Sequence, residues 1–151
     1  MSGQIHSHKS DYFGGNYYGS ILGDATCYIV RNKENNKNDF ADCELAWTSF
    51  KTAVRKFDWL WNGMIRRGNE KRYHPTQKPV GLFAAIIEKY SDIKDVILDP
   101  FMGSGTTALA CERLGRRWIG IEISETNCSI VKRRLQEENK QLKIFPCHQQ
   151  N

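Results

Sequence analysis

Apolar residues in the second half of the chain first recur with helical spacing and then gather into a short run. Between residues 80 and 90 they lie three or four positions apart, which predicts a helix with one buried face. Pro79, directly before this segment, is typical of the first turn of a helix. The run Val-Ile-Leu-Asp at 96–99 is too short for a helix and predicts a buried strand.

The same order of elements is repeated immediately afterwards. Residues 106–114 predict a helix, and Gly115 stands where the C-terminus of a helix favours a left-handed residue. A second strand is predicted over 117–123 and a final helix over 125–140. Strands that alternate with helices at this spacing form βαβ crossovers, so this half of the chain is predicted to be α/β with a parallel sheet.

The first half of the chain has a different pattern, with short β-prone runs between polar segments. Residues 13–20 contain glycine and aromatic residues and predict the end of a strand that runs into a turn or loop. Strands are predicted over 26–30, 43–50 and 56–63. Residues 31–39 have no apolar side chain, which predicts a solvated loop between the first two of these strands.

Length and composition indicate a single globular domain. The chain has 151 residues, 40% hydrophobic and 26% charged, with a formal net charge of +5. It has no apolar run near the ~18 residues of a membrane span and no secretory core at its start, so we expect neither a membrane protein nor a secreted one. Its odd number of widely spaced cysteines argues against disulfides and zinc and favours the cytoplasm. These cysteines are Cys27, Cys43, Cys111, Cys128 and Cys147.

A glycine loop follows the strand predicted at 96–99. Gly103 and Gly105 are separated by one residue, which allows the backbone to turn tightly and to approach a ligand closely. Asp99 ends this strand and Glu122 lies at the end of the next, where a carboxylate can accept both hydroxyls of a ribose. The loop lacks the Gly-Lys-[Ser/Thr] of a nucleotide P-loop. A glycine turn that serves only packing is the alternative for the loop taken alone.

The loop and a second motif together carry a resemblance to a known family. Asp-Pro-Phe-Met-Gly-Ser-Gly-Thr-Thr at 99–107 and His-Pro-Thr-Gln-Lys-Pro at 74–79 resemble the S-adenosylmethionine-dependent DNA amino-methyltransferases of adenine N6 and cytosine N4. The order of the two motifs is similar to that in the permuted branch of the family, in which the catalytic segment precedes the cofactor segment. The sequence also resembles members from phages and from bacterial restriction-modification systems. The resemblance covers residues 12–136 and implies a Rossmann-like methyltransferase fold, a three-layer α/β/α arrangement around a mostly parallel sheet.

The resemblance also implies roles for individual residues. Glu122 would bind the ribose hydroxyls of S-adenosylmethionine, and Ile123 would flank its adenine. His74, Thr76 and Lys78 would hold the amino-acid end of the cofactor, with Lys78 facing its carboxylate. The residues implied to surround the methionine part are Asp99, Phe101, Gly103, Ser104, Gly105 and Thr106.

One feature of the family is missing from this sequence. These enzymes use a tetrapeptide [Asp/Asn/Ser]-Pro-Pro-[Tyr/Phe/Trp], which holds the target amino group and stacks on the flipped base. The four prolines here are never adjacent, so the catalytic residues are unknown. In the family this tetrapeptide follows a central strand beside the one ending at Asp99, and its loss would leave unpaired strand edges. The resemblance therefore implies a DNA methyltransferase with an incomplete fold, which transfers a methyl group from S-adenosylmethionine to an exocyclic amino group of adenine or cytosine. The alternative is a truncated, inactive remnant, or a non-catalytic subunit that binds cofactor or DNA and depends on a second chain or a homodimer.

A basic connector at 66–73 occupies the place where this branch inserts its target-recognition segment. Its cations would contact the phosphates of double-stranded DNA, although a solvated charged loop is the alternative. It is too short for a recognition domain, so we expect residues 1–151 to form one methyltransferase domain that requires no metal. The candidate DNA-binding residues are Arg66, Arg67, Lys71 and Arg72.

Overall fold

A computed structural model describes residues 11–13, 17, 19–34, 41–61, 68–73 and 77–144. The chain divides into two compact units, Met1–Asn69 and Glu70–Asn151. Each unit has its own sheet, and each is described separately. Whether the chain acts as one domain stays a prediction.

The first unit contains a four-stranded sheet with the order β1-β3-β2-β4. Strand β3 is antiparallel to β1 and to β2, whereas β2 and β4 are parallel. Alternate side chains of β2 are buried, as expected for a sheet with one core face. The elements of this unit are β1 (Asp11–Phe13), the short helix α1 (Gly19–Leu22), β2 (Cys27–Asn32), β3 (Cys43–Thr48) and β4 (Arg55–Asp58).

The polar loop predicted after β2 begins two residues later than expected. Arg31 and Asn32 belong to the strand, because they pair with Glu44 and Cys43 of β3. Arg31 is buried, bonded to the carboxylate of Glu44 at 2.6 Å and to the backbone carbonyl of Trp61. The absence of apolar residues was therefore a misleading signal at Arg31, because an ion pair with the neighbouring strand compensates for the buried charge.

The second unit confirms the predicted α/β order of elements. Strands β5 and β6 pair in parallel, with Leu98 opposite Ile119 and Asp99 opposite Gly120. Gly115 ends α3 in the left-handed conformation, with φ of +62°, as the sequence predicts. The elements of this unit are α2 (Val80–Tyr90), β5 (Val96–Asp99), α3 (Thr106–Leu114), β6 (Arg117–Gly120) and α4 (Glu125–Ile144).

Helices α2 and α3 form a core against one face of the β5–β6 sheet. Ile97 and Trp118, neighbours on that face, pack against this core. Strand β6 ends at Gly120, three residues before the predicted boundary, and residues 121–124, which have no regular secondary structure, connect it to α4. No helix in the described part of the chain is both long and apolar enough to cross a membrane. The core comprises Val80, Ile87, Leu109, Ala110 and Cys111.

The opposite face of the β5–β6 sheet is apolar and exposed. Leu98 and Ile119, which lie side by side, are 59% and 56% exposed, and Val96 and Ile121 extend the same surface. Parallel sheets in α/β proteins are normally covered on both faces. The described part of the second unit covers one of them, which agrees with an incomplete fold. We call these four residues the apolar sheet face.

Candidate functional site

The glycine loop lies between the end of β5 and the start of α3, and backbone hydrogen bonds fix it against the chain beyond β6. The N–H of Met102 donates to the carbonyl of Ile121 at 3.0 Å, and the N–H of Ile121 donates to the carbonyl of Asp99 at 2.9 Å. Gly103 and Gly105 have φ of +53° and +82°, values that favour glycine. A Cβ on Gly105 would lie 2.9 Å from Cγ2 of Val131, so close packing also requires glycine there.

Asp99 connects the beginning of the loop to helix α3 through hydrogen bonds. Its carboxylate accepts a hydrogen bond from the backbone N–H of Phe101 at 3.0 Å and another from the hydroxyl of Thr107 at 2.5 Å. One carboxylate oxygen serves each donor, so the side chain bridges the loop and the first turn of the helix. Asp99 thus has a structural role that is independent of any ligand.

Glu122, two residues beyond the end of β6, binds the middle of the same loop. Its carboxylate accepts hydrogen bonds from the backbone N–H of Gly103 at 2.8 Å and from that of Ser124 at 2.7 Å. The hydrogen bond from Ser124, together with the one from Gly103, holds the pKa of Glu122 below its ordinary value. The side chain is therefore an ionised carboxylate beside the glycine loop, as a ribose-binding role requires.

An open cleft of about 170 Å³ runs along this loop. Lys78 reaches it from the segment that precedes α2, and the backbone carbonyl of Lys78 accepts a hydrogen bond from the hydroxyl of Thr106 at 3.0 Å. Phe101 is 86% exposed at its rim. The predicted site residues that line the cleft are Lys78, Asp99, Phe101, Gly103, Ser104 and Thr106.

The remaining predicted residues are not among the described residues that line the cleft. Gly105 and Glu122 adjoin the cleft through the glycine loop, and Ile123, next to Glu122, is 99% exposed. Of the candidate DNA contacts, Lys71 is exposed and lies over the ring of Tyr73, 5.2 Å from its centroid. Arg72 is partly exposed. His74, Thr76, Arg66 and Arg67 lie outside the described residues.

Other residues of the cleft were not predicted from the sequence. Gln77 and Thr107 belong to the two motifs, so the motifs themselves were a sufficient signal. Phe83 was assigned only to the buried face of a helix, although it also borders the cleft. Asn127, on α4, is separated from both motifs and carried no signal. Met102, between Phe101 and Gly103 in the glycine loop, also lines the cleft.

The comparisons with known proteins agree with this geometry. A sequence profile of the N6/N4 DNA methylase family matches residues 24–133. The chain belongs to this family. It is 45% identical over 83 residues to the Type II methyltransferase M2.DpnII of Streptococcus pneumoniae, a match that covers 54% of this chain and 31% of that protein. It is 41% identical over 88 residues to the Type II methyltransferase M.BamHI of Bacillus amyloliquefaciens, covering 57% of this chain and 20% of that protein.

Solved structures are similar as well. The crystal structure of an M1.HpyAVI–SAM complex matches with a TM-score of 0.52 and 35% identity, over 71% of this chain and 60% of that one. The cytosine-N4-specific PvuII DNA methyltransferase matches with a TM-score of 0.56 and 16% identity, over 83% of this chain and 58% of that one, a likeness of fold. The chain thus has part of a methyltransferase fold, and its match spans no more than a third of either curated relative.

Proposed function

We propose that this chain provides the S-adenosylmethionine-binding part of a DNA methyltransferase that acts on the exocyclic amino group of adenine or cytosine. The carrying observation is that Asp99, the last residue of β5, and Glu122, two residues beyond the end of β6, each accept a hydrogen bond from the same glycine loop. Open α/β sheets bind ligands at this edge. Membership of the DNA methylase family supports the same reaction.

The residues at this edge fit the chemistry of the cofactor. S-adenosylmethionine supplies an activated methyl group when it is bound, and it presents an aromatic adenine ring, a ribose diol and a charged amino-acid end. Ile123 offers an exposed apolar side chain to the adenine, Phe101 offers one to the methionine part, and Glu122 offers an ionised carboxylate to the diol. Asp99 and Lys78 offer opposite charges to the amine and carboxylate of the amino-acid end.

The further site assignments belong to the same proposal. Ser104 and Thr106, with the two loop glycines, surround the methionine part, while His74 and Thr76 help to hold its end. The cations Arg66, Arg67, Lys71 and Arg72 contact phosphates of double-stranded DNA, which contributes affinity rather than sequence choice. The curated relatives are Type II methyltransferases, which supports DNA as the partner.

Calorimetric titration of S-adenosylmethionine into the purified chain tests the cofactor proposal. We expect saturable binding and equally saturable binding of the demethylated product, S-adenosylhomocysteine, because the residues above contact the parts that the two share. Circular dichroism on the same sample verifies that the chain is folded. A folded chain that gives no heat with either ligand contradicts the proposal and favours an inactive remnant.

A second candidate function is that of a non-catalytic subunit, and the apolar sheet face favours it. Leu98 and Ile119 are large, adjacent and exposed, and contiguous apolar surface of this kind marks a contact with another polypeptide. The sequence also lacks the base-binding tetrapeptide. Both facts are explained if a second chain carries the tetrapeptide and covers this face.

Co-expression tests this second candidate. The partner is the polypeptide encoded next to this gene that contains [Asp/Asn/Ser]-Pro-Pro-[Tyr/Phe/Trp], and the control is the Leu98→Asp variant of this chain. We expect the pair to co-purify and to transfer tritiated methyl groups to unmethylated DNA, and Leu98→Asp to abolish both. Methyl transfer by the pure chain at rates typical of an intact enzyme contradicts the candidate, and sedimentation as a homodimer assigns the face to a second copy.

A further inference from the structure

An ion pair in the second unit lies directly beneath the glycine loop. Arg134, on α4, is only 5% exposed, and its guanidinium donates to the carboxylate of Glu70 at 3.1 Å. The same guanidinium donates to the backbone carbonyl of Ser104 at 2.6 Å and to the hydroxyl of Ser104 at 3.3 Å. A buried cation on α4 therefore binds the glycine loop.

Glu70 extends this contact to the segment before α2. One carboxylate oxygen accepts from Nε2 of Gln77 at 3.0 Å as well as from Arg134, and the other accepts from the backbone N–H of Val80 at 3.0 Å. Val80 is the first residue of α2, where an anion is favoured by the helix dipole. Pro79 before it has no side chain that could cap the helix.

Gln77 completes the connection between the two segments. It is 5% exposed, and its Nε2 also donates to the backbone carbonyl of Lys71 at 3.1 Å. Its Oε1 accepts from the backbone N–H of Tyr73 at 2.9 Å and from the hydroxyl of Ser104 at 3.4 Å. The buried pair is thus hydrogen-bonded on both sides, as a buried ion pair must be if its desolvation is to be offset.

We infer that Arg134 and Glu70 are positioning residues that hold the glycine loop and the Gln77–Lys78 segment in register, and so set the affinity for the amino-acid end of the cofactor. Both segments line the cleft, and neither Arg134 nor Glu70 does. The inference rests on the proposed function for its ligand, but its geometry is independent of that ligand. If so, the Arg134–Glu70 pair raises the affinity for S-adenosylmethionine but not the affinity for adenosine, which lacks the amino-acid end.

The test compares three variants with the native chain. Removing one charge would leave the other buried and unpaired, so the informative change is the double variant Glu70→Met/Arg134→Met, in which apolar side chains replace both charges. Arg134→Lys is the conservative variant, which keeps the charge but loses the fork of donors. The control is Arg113→Met/Glu138→Met, since Arg113 and Glu138 join α3 to α4 at 2.7 and 2.9 Å and neither lines the cleft.

Calorimetry gives the affinities, and hydrogen exchange gives a readout without ligand. We expect the Glu70/Arg134 double variant to bind S-adenosylmethionine at least tenfold more weakly with adenosine affinity unchanged, and Arg134→Lys to recover part of the loss. The amides of 103–105 should exchange faster, whereas those of α3 should not. The control should change neither the affinity ratio nor the loop exchange.

Two outcomes overturn the inference. One is a folded double variant whose affinity ratio and loop exchange equal those of the native chain. The other, decisive if the double variant does not fold, is Arg134→Lys with a native ratio and native loop exchange. If the native chain itself binds no S-adenosylmethionine, the proposed function fails, and the exchange of residues 103–105 still decides whether Arg134 positions the loop.

Discussion

The carboxylate of Glu122 accepts a hydrogen bond from the backbone N–H of Gly103 at 2.8 Å. A side chain two residues beyond β6 thereby fixes the loop that follows β5. One carboxylate oxygen accepts from Gly103 and the other from Ser124, and the side chain of Asn127 and the backbone N–H of Ile123 also hydrogen-bond to this carboxylate. These donors come from the glycine loop and from the chain between β6 and the first turn of α4, so Glu122 connects the two segments.

Replacement of Glu122 by glutamine should damage this site selectively. A glutamine offers one acceptor oxygen, so the N–H of either Gly103 or Ser124 would face an amide NH₂. We expect affinity for S-adenosylmethionine to fall roughly tenfold, the usual scale for losing a charge-assisted hydrogen bond, with the helices retained. Calorimetry and circular dichroism measure the two effects, and native affinity in the variant would refute the assignment.

The lowered pKa of Glu122 also gives a pH dependence with a definite sign. Because hydrogen bonds from Ser124 and Gly103 favour the ionised form in the folded state, the folded pKa lies below the ordinary value of 4.5. The stability that Glu122 contributes is therefore present above pH 4.5 and is lost as the pH falls through the folded pKa. The difference in melting temperature between the native chain and Glu122→Gln should shrink as the pH is lowered from 6 to about 3.

Asp99 should respond differently to two substitutions. Asparagine can still accept from the N–H of Phe101 and can donate to the hydroxyl of Thr107, whereas alanine can do neither. We expect Asp99→Ala to lower the free energy of unfolding by about 1–3 kcal/mol and Asp99→Asn by less than about 1 kcal/mol. Urea unfolding measures both values.

The cofactor affinities of the same variants separate charge from structure. If the negative charge of Asp99 faces the cationic amine of S-adenosylmethionine, Asp99→Asn loses at least tenfold in affinity in spite of its intact fold. Asp99→Ala alone is ambiguous, because the loop and the ligand contact are lost together. Equal affinity of the native chain and Asp99→Asn would leave Asp99 with its structural role only.

Much of the second unit could be predicted from the sequence because its signals are local. The helix over 80–90, the strand over 96–99 and the helix over 106–114 were predicted with the bounds that the structure gives. Helical spacing and a C-terminal glycine act within one turn of the chain, so no knowledge of distant contacts is required. The boundary of β6 was wrong because the alternating apolar pattern continues through residues 121–123, whereas the strand itself ends at Gly120.

What the sequence could not give was set by contacts between distant residues. Arg31 is buried because Glu44 pairs with it from another strand, and Arg134 is buried because Glu70, 64 positions earlier, accepts from it. Neither cation differs in the sequence from a solvated arginine. The candidate site was predicted through its motifs, yet the motifs did not indicate that Asp99 and Glu122 already bind the loop.

Gly120 should be sensitive to the addition of a single methyl group. A Cβ there would lie 2.2 Å from Sδ of Met102, which lines the cleft. We expect Gly120→Ala to lower the free energy of unfolding by about 1–3 kcal/mol, because the thioether of Met102 must move away from the new methyl group. We also expect weaker S-adenosylmethionine binding, because Met102 lines the cleft and its displaced side chain would enter it. Thermal unfolding and calorimetry report the two changes.

Gly115 provides the matched control for that substitution. Its φ of +62° makes alanine unfavourable, but a Cβ there would contact nothing within 4 Å. Gly115→Ala should therefore cost about 1 kcal/mol in stability and leave the affinity unchanged. The double variant Gly120→Ala/Met102→Ala removes the clash and should recover binding relative to Gly120→Ala, and a failure to recover would mean that Met102 is not the cause.

Two cysteines should differ sharply in reactivity. Cys111 is fully buried in the core of the second unit, and burial raises its pKa to about 11, whereas Cys43 is exposed. Because the thiolate is the reactive form, iodoacetamide at pH 8.5 should modify Cys43 in the folded chain and should spare Cys111 until urea unfolds it. Mass spectrometry of the resulting peptides assigns each modification, and rapid alkylation of Cys111 in the folded chain would contradict its placement.

The raised pKa of Cys111 also predicts a loss of stability at high pH. The folded pKa of about 11 exceeds the ordinary value of 9.0, so the unfolded chain releases this proton first as the pH rises. The contribution is fully present below pH 9.0 and declines up to about pH 11, by roughly 2–3 kcal/mol in total. Cys111→Ala has no thiol to titrate at this position, so its free energy of unfolding should fall less steeply over the same interval. If the free energies of unfolding of the native chain and the variant changed in parallel between pH 8 and 11, burial would not raise the pKa of the Cys111 thiol.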